Sequence, residues 1–178
     1  MKINKWIIIS IAVLVIAGMI LFLQVRKQNE IYKINSYEGC VAYGLPVADS
    51  YPPQCRVPNG KSFTQNIGNE LKFHDEILIS TPRPNAKVVS PLRISGQARG
   101  RWYFEGSFSG ELFDLNNKSL GKVVLTAKGE WMTENFVPFE GEMKFEMPET
   151  STGILVIKNA NPSGDSKNEK KIEIPVKF

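Results

Sequence analysis

His74, the only histidine in the chain, is followed directly by Asp75, and a His–carboxylate pair is the simplest acid–base unit a sequence can offer. Neighbours on an extended chain point to opposite faces, so the pair reads instead as part of a charged connecting stretch, Lys72-Phe73-His74-Asp75-Glu76. Glu105 and Asp114 are the next carboxylates to weigh. Glycoside hydrolysis needs two of them about 5 Å or about 6.5–9.5 Å apart across a cleft, and small β-sandwiches seldom form one. Glu105 follows Arg99 and Arg101 in an alternating run, which places it on an outward strand face in a surface ion pair of little energetic weight. Two cysteines and one distant histidine cannot fill the four positions of a zinc site. No nucleophile–base pair emerges either. The chain is therefore read as non-enzymatic, with no catalytic residue, metal or cofactor.

What remains is binding chemistry. Tyr103 is expected to face outward, opposite Trp102 and Phe104, and Trp131 follows a turn. Exposed aromatics on a sheet stack on sugar rings, although core or edge packing competes for both. Arg99, Arg101, Tyr103, Glu105 and Trp131 together form the candidate binding surface. Cys40 and Cys55 lie in one turn-rich segment, a pattern that suits a disulfide in an oxidising compartment. Such a bridge closes a loop of about fifteen residues, worth roughly 3 kcal/mol in the chain-entropy model. The alternative is two free thiols in a reducing cytoplasm.

The elements that must position these residues are strands. Leu92, Ile94, Gly96 and Ala98 alternate with polar partners, as do Trp102, Phe104 and Phe108, then Met143, Phe145 and Met147, then Ile172, Ile174, Val176 and Phe178. Period two gives each set one strand face. Shorter apolar runs at 77–79, 123–125 and 154–157 add further strands. Seven or eight short strands in about 100 residues predict an all-β, antiparallel β-sandwich of immunoglobulin-like type. Trp102, Phe104 and Phe145 are expected in its core. Pro175 marks the last strand as an edge, open to strand addition near Ile172–Phe178. Asn59-Gly60 predicts a hairpin turn in the cysteine segment.

Residues 6–25, WIIISIAVLVIAGMILFLQV, are apolar apart from Ser10 and Gln24, the length a bilayer-spanning helix needs. They are read as an N-terminal transmembrane signal anchor. A cleaved signal peptide would have a shorter apolar core and a small-x-small site; cutting at Val15-Ile16-Ala17 would leave residues 19–23 exposed. Lys2, Lys5, Arg26 and Lys27 flank the run. Removing those four from the 22 Lys and Arg leaves 18, equal to the 18 Asp and Glu, so the chain from residue 28 onward is neutral. Nucleic acid is thus not an expected partner. The anchor's own flanks are positive on both sides and do not orient it; the cysteine pair favours the carboxyl-terminal part outside. The expected organisation is 1–5 cytoplasmic tip, 6–25 anchor, 26–36 juxtamembrane linker, 37–66 disulfide-bridged motif, 67–75 linker and 76–178 sandwich.

Several motifs carry a resemblance. Ser90-Pro91-Leu92, Gly96-Gln97-Ala98-Arg99-Gly100 and 102–108 (WYFEGSF) are followed by 129–133 (GEWMT), Phe136-Val137-Pro138-Phe139, Asn161-Pro162-Ser163-Gly164 and 174–178 (IPVKF). Together they resemble the immunoglobulin-like domain of bacterial spore germination proteins over about residues 76–178. The resemblance implies an extracytoplasmic β-sandwich, often next to a membrane anchor or another envelope domain, with no catalytic residues and no settled ligand. The cysteine segment, more weakly, resembles a small motif of bacterial surface proteins. The expected function is a membrane-anchored, non-catalytic binding module of the bacterial cell envelope, on the cell membrane with its carboxyl-terminal domain outside. It is expected to engage a protein partner or, alternatively, to bind or tether cell-wall glycan through exposed aromatics.

Overall fold

The computed structural model describes residues 5–178, leaving out the side chains at 5, 7, 8 and 10–12; the expected cytoplasmic tip lies outside the described residues except for Lys5. The chain divides into two compact units, one up to Gln65 and one from Asn66.

The first unit opens with helix α1, Lys5–Tyr32, 28 residues and so about 42 Å long. The described side chains of its apolar stretch are exposed, including the consecutive Val13, Leu14, Val15 and Ile16. Five residues of the expected anchor lie outside the described side chains, and among the described residues no helix is long and apolar enough to cross a membrane. The expected linker at 26–36 is mostly helix instead. Arg26-Lys27-Gln28 and Glu30 are good helix formers and carry α1 on to Tyr32. Ile31 and Ile34 then pack into a small core with Cys40, Cys55, Val57, Tyr43 and Phe63, and the Tyr43 hydroxyl donates to the Lys27 carbonyl.

A second helix, α2 (Tyr37–Ala42), is too short to show a helical period; Ser36 caps it by accepting from the Gly39 N–H. Strands β1 (Val47–Ala48), β2 (Gln54–Arg56) and β3 (Ser62–Thr64) form an antiparallel sheet in that order. Gly60 turns the β2–β3 hairpin at φ 88°, where Asn59-Gly60 predicts it. The Cys40–Cys55 disulfide ties α2 to β2.

The second unit is β, with every strand pair antiparallel and one isolated parallel bridge, Lys87↔Lys177. Its strands are β4 (Ile77–Thr81), β5 (Leu92–Arg99), β6 (Ser107–Asp114), β7 (Ser119–Ala127), β8 (Phe136–Met143), β9 (Thr152–Lys158) and β10 (Lys171–Lys177), ordered β10-β9-β6-β7-β8-β5-β4. Two residue pairs, Thr126↔Glu140 and Ala127↔Phe139, join β7 to β8. The sheet folds at that seam into halves β4-β5-β8 and β7-β6-β9-β10. Their inward residues, among them Ile94, Leu112, Leu125, Leu155, Ile157 and Ile174, make one core around Trp102.

Three expectations change here. The run 101–108 is not one strand. Residues 100–102 form a 3-10 turn, and Glu105 (φ 50°) and Gly106 (φ 73°) make a tight turn closed by the Phe104↔Ser107 bridge. Alternation therefore breaks, Phe104 is 47% exposed and Tyr103 is 5% exposed. Phe145, past the end of β8, is half-buried against the core. Residues 67–75 are not a free linker, since Ile67 and Glu70 are buried.

The edge of β10 is closed to strand addition. Asn69 bonds it with its side chain and backbone, accepting from Glu173 N–H and donating to the carbonyls of Lys171 and Glu173. Asn85 N–H reaches the Pro175 carbonyl, and the Lys177 N–H and carbonyl bond Ala86 and Val88. Pro175 has no N–H to leave unpaired. Gly68 permits the close approach: a Cβ there would lie 1.7 Å from the Glu173 oxygen, and its φ is +75°.

Candidate binding cleft at one end of the sandwich

Strand β5 ends, and β6 and β8 begin, at the same end of the sandwich, because Arg99 pairs with Phe136 and Ser107 with Thr126 near the end of β7. The turn at 100–106 and the loop at 128–135 therefore lie together. Gly100 stitches them: its N–H donates to the Thr133 carbonyl, and a Cβ would sit 2.1 Å from that oxygen and 2.3 Å from the Trp131 carbonyl. Only glycine admits so close a backbone approach. Between these loops is a cleft of about 390 Å³ lined by Asp75, Arg99, Arg101, Thr133 and Glu134.

Each arginine is held from behind. The Arg99 guanidinium donates to the carbonyls of Asp75 (2.5 Å) and Glu134 (2.7 Å) and lies 4.6 Å from the centre of the Phe136 ring, a cation–π contact. Arg101 approaches Glu76 at 3.4 Å. The Glu76 carboxylate also takes Lys170 at 2.7 Å and the Trp102 indole N–H at 3.2 Å. Burial alone raises this carboxyl, but Lys170, Arg101 and the indole outweigh it and hold Glu76 below the usual carboxylate range. The cleft thus carries two fixed guanidiniums and a rim of carboxylates. It is equipped to exchange ion pairs and hydrogen bonds with a polar, charged surface.

The expected site residues separate. Arg99 and Arg101 share the cleft. Tyr103, expected outside, is buried, and its hydroxyl donates to the Val137 carbonyl at 2.8 Å. Burial pushes its pKa up to about 12, the Ala98 backbone hydrogen bond opposing in part. Its ring packs edge-on against Phe108 with centroids 5.0 Å apart. Trp131 is half-covered against the core and close to Gly106, so the aromatic pair does not form a stacking platform. Glu105 sits in the β-turn, and Arg101 pairs with Glu76 rather than with it.

Glu105 and Asp114 lie beyond or at opposite ends of β6, about 30 Å apart along an extended strand, too far for a hydrolytic pair. Asp114 shapes the β6–β7 turn by accepting from the N–H groups of Asn116 and Lys118. His74 does touch Asp75, at 3.1 Å, because 74–76 is a turn following the 3-10 turn at 70–73 rather than extended chain; both side chains are exposed. Glu76, Thr133 and Glu134 were not singled out by sequence, since only the folded loops bring them to the arginines. Among the described residues no group of three or more His, Cys, Asp or Glu is placed to hold a metal ion.

A family model described as the immunoglobulin-like domain of bacterial spore germination matches residues 76–166, about half of the chain. No curated protein and no solved structure matches.

Proposed function

We propose that this chain, which belongs to the family of immunoglobulin-like domains of bacterial spore germination, is a membrane-anchored, extracytoplasmic binding module that engages a protein partner of the cell envelope. It works by surface complementarity rather than by catalysis. The carrying observation is the apolar stretch of α1. Val13, Leu14, Val15 and Ile16 point in four successive directions round the helix, and all are exposed. A helix apolar on every side belongs in a core or a bilayer, and among the described residues none covers these four. The Cys40–Cys55 disulfide supports the outward side, since such bridges persist in oxidising compartments. The cleft supports protein recognition, because Arg99 is pre-positioned by two main-chain carbonyls and an aromatic face and Arg101 by the Glu76 carboxylate, which lowers the cost of ordering them on binding.

The test is made on the full chain in its host. The anchored reading expects the chain in the membrane fraction after alkaline carbonate washing, with its sandwich digested by protease added outside intact, wall-stripped cells. Recovery in the soluble fraction, or protection of the sandwich, would overturn it. For the cleft, in-cell cross-linking of the Arg101→Gln chain should lose an envelope-protein adduct formed by the unaltered chain, while the sandwich still shows a cooperative thermal transition. An unchanged adduct pattern would remove the cleft from the interface.

A further inference from the structure

With the β10 edge bonded along its length, a partner of this side of the sandwich must take a face rather than an edge. The outer face of β7-β6-β9-β10 reads off the strand registers in rows. One row runs Glu173, Val156, Glu111, Lys122; the next runs Pro175, Ile154, Phe113, Ser119. Val156, Ile154 and Phe113 form an apolar centre beside Glu111, and an acidic and a basic residue stand at opposite ends of one row, each also ion-paired within its own chain, Glu173 with Lys171 and Lys122 with Glu111. The same face carries a groove of about 440 Å³ between β6, β7 and β9, with Val124 63% exposed beside it.

We infer that this face docks onto a second copy of the chain. A two-fold axis running along the strands, between β9 and β6, exchanges β9 with β6 and β10 with β7. It sets Glu173 of each copy against Lys122 of the other, and Ile154 of each against Phe113 of the other. Each Lys158 then meets Ser109. Glu111 then meets Val156 and Lys171 meets Val124; no like charges are directly opposed, and the self-complementarity a two-fold interface requires is carried by the Glu173–Lys122 and Ile154–Phe113 pairs. Two sheets packed face to face lie about 10 Å apart and tolerate a crossing of roughly 30°.

The face is three strand spacings wide, about 14 Å, and about 20 Å long, which is small beside a standard interface. The dimer therefore forms at high local concentration. A shared membrane supplies that, and this clause alone rests on the anchored reading.

The experiment uses two full chains, one carrying Glu173→Cys and the other Lys122→Cys, each with its own tag and with the native disulfide intact. A short bismaleimide is expected to join them into a mixed-tag dimer, both in cells and after purification to high concentration, whereas chains carrying the same cysteine do not join. Glu173→Lys alone, in the chain that keeps Lys122, should deplete self-association measured by sedimentation. The exchanged variant Glu173→Lys with Lys122→Glu should restore it. Absence of the mixed-tag dimer from the concentrated purified chain, or failure of the exchanged charges to restore association, overturns the inference. A dimer that forms when purified but not in cells upholds the face and overturns only the membrane clause.

Discussion

At the scale of single residues, burial changes roles that residue type suggests. Tyr103 looks like a surface aromatic but is buried and bonded to Val137. Tyr103→Phe should cost about 0.5–1.5 kcal/mol, the net worth of one hydrogen bond, read from chemical denaturation of the sandwich. Because its folded pKa of about 12 exceeds the unfolded value near 10, the unfolded chain gives up this proton first. The tyrosine's contribution is complete below pH 10 and is lost as pH rises toward 12, so the alkaline fall in stability over that window should shrink in the Phe variant. Glu76 runs the other way. Its carboxyl is held below the usual range, so its contribution is present above the unfolded pKa and is lost as pH falls through the folded one. Glu76→Gln should cost about 1–3 kcal/mol at pH 7, with the penalty narrowing in acid; a penalty independent of pH would show that packing, not charge, sets the role of Glu76. Arg99 and Arg101 were legible as a pair because they share a short motif. Their partners were not, since the Asp75 and Glu134 carbonyls that bind Arg99 and the Glu76 carboxylate that pairs with Arg101 are distant in sequence and meet them only in the folded chain.

At the scale of elements, the sheet edges and the small motif decide what the molecule can offer. A single side chain, Asn69, bonds the Lys171 carbonyl and the Glu173 N–H, and Gly68 allows it to come that close. Gly68→Ala places a Cβ against backbone oxygen at positive φ, so it should cost at least about 2 kcal/mol. Amide exchange at Glu173 should quicken, and the freed edge should promote aggregation. In the first unit, Ile31 and Ile34 join α1 to the disulfide core. Replacing both Cys40 and Cys55 by Ser should cost about 3 kcal/mol there while the sandwich, with its own core, unfolds as before; calorimetry separates the two transitions. Strand positions were readable wherever alternation was uninterrupted, as in β5 and β10. Alternation failed at 100–106 because two turns fall within seven residues, and it could not reveal α2, which is under two turns long.

At the scale of the whole molecule, a β-sandwich follows a turn-rich disulfide unit and an apolar helix, and the proposed anchor and the self-complementary face act together only if the chain shares a surface with its copies. The sequence alone determined what depends on local pattern and on composition. Those are the antiparallel sandwich, from strand alternation, the family, from the resemblance of its motifs, and the placing of the excess basic charge at the flanks of the apolar run, from residue count. Only the tertiary structure decided which aromatics are covered, which edge is closed and which carboxylates face the arginines. These depend on contacts between residues up to 104 positions apart, such as Asn69 with Glu173, and no local period records where such residues meet.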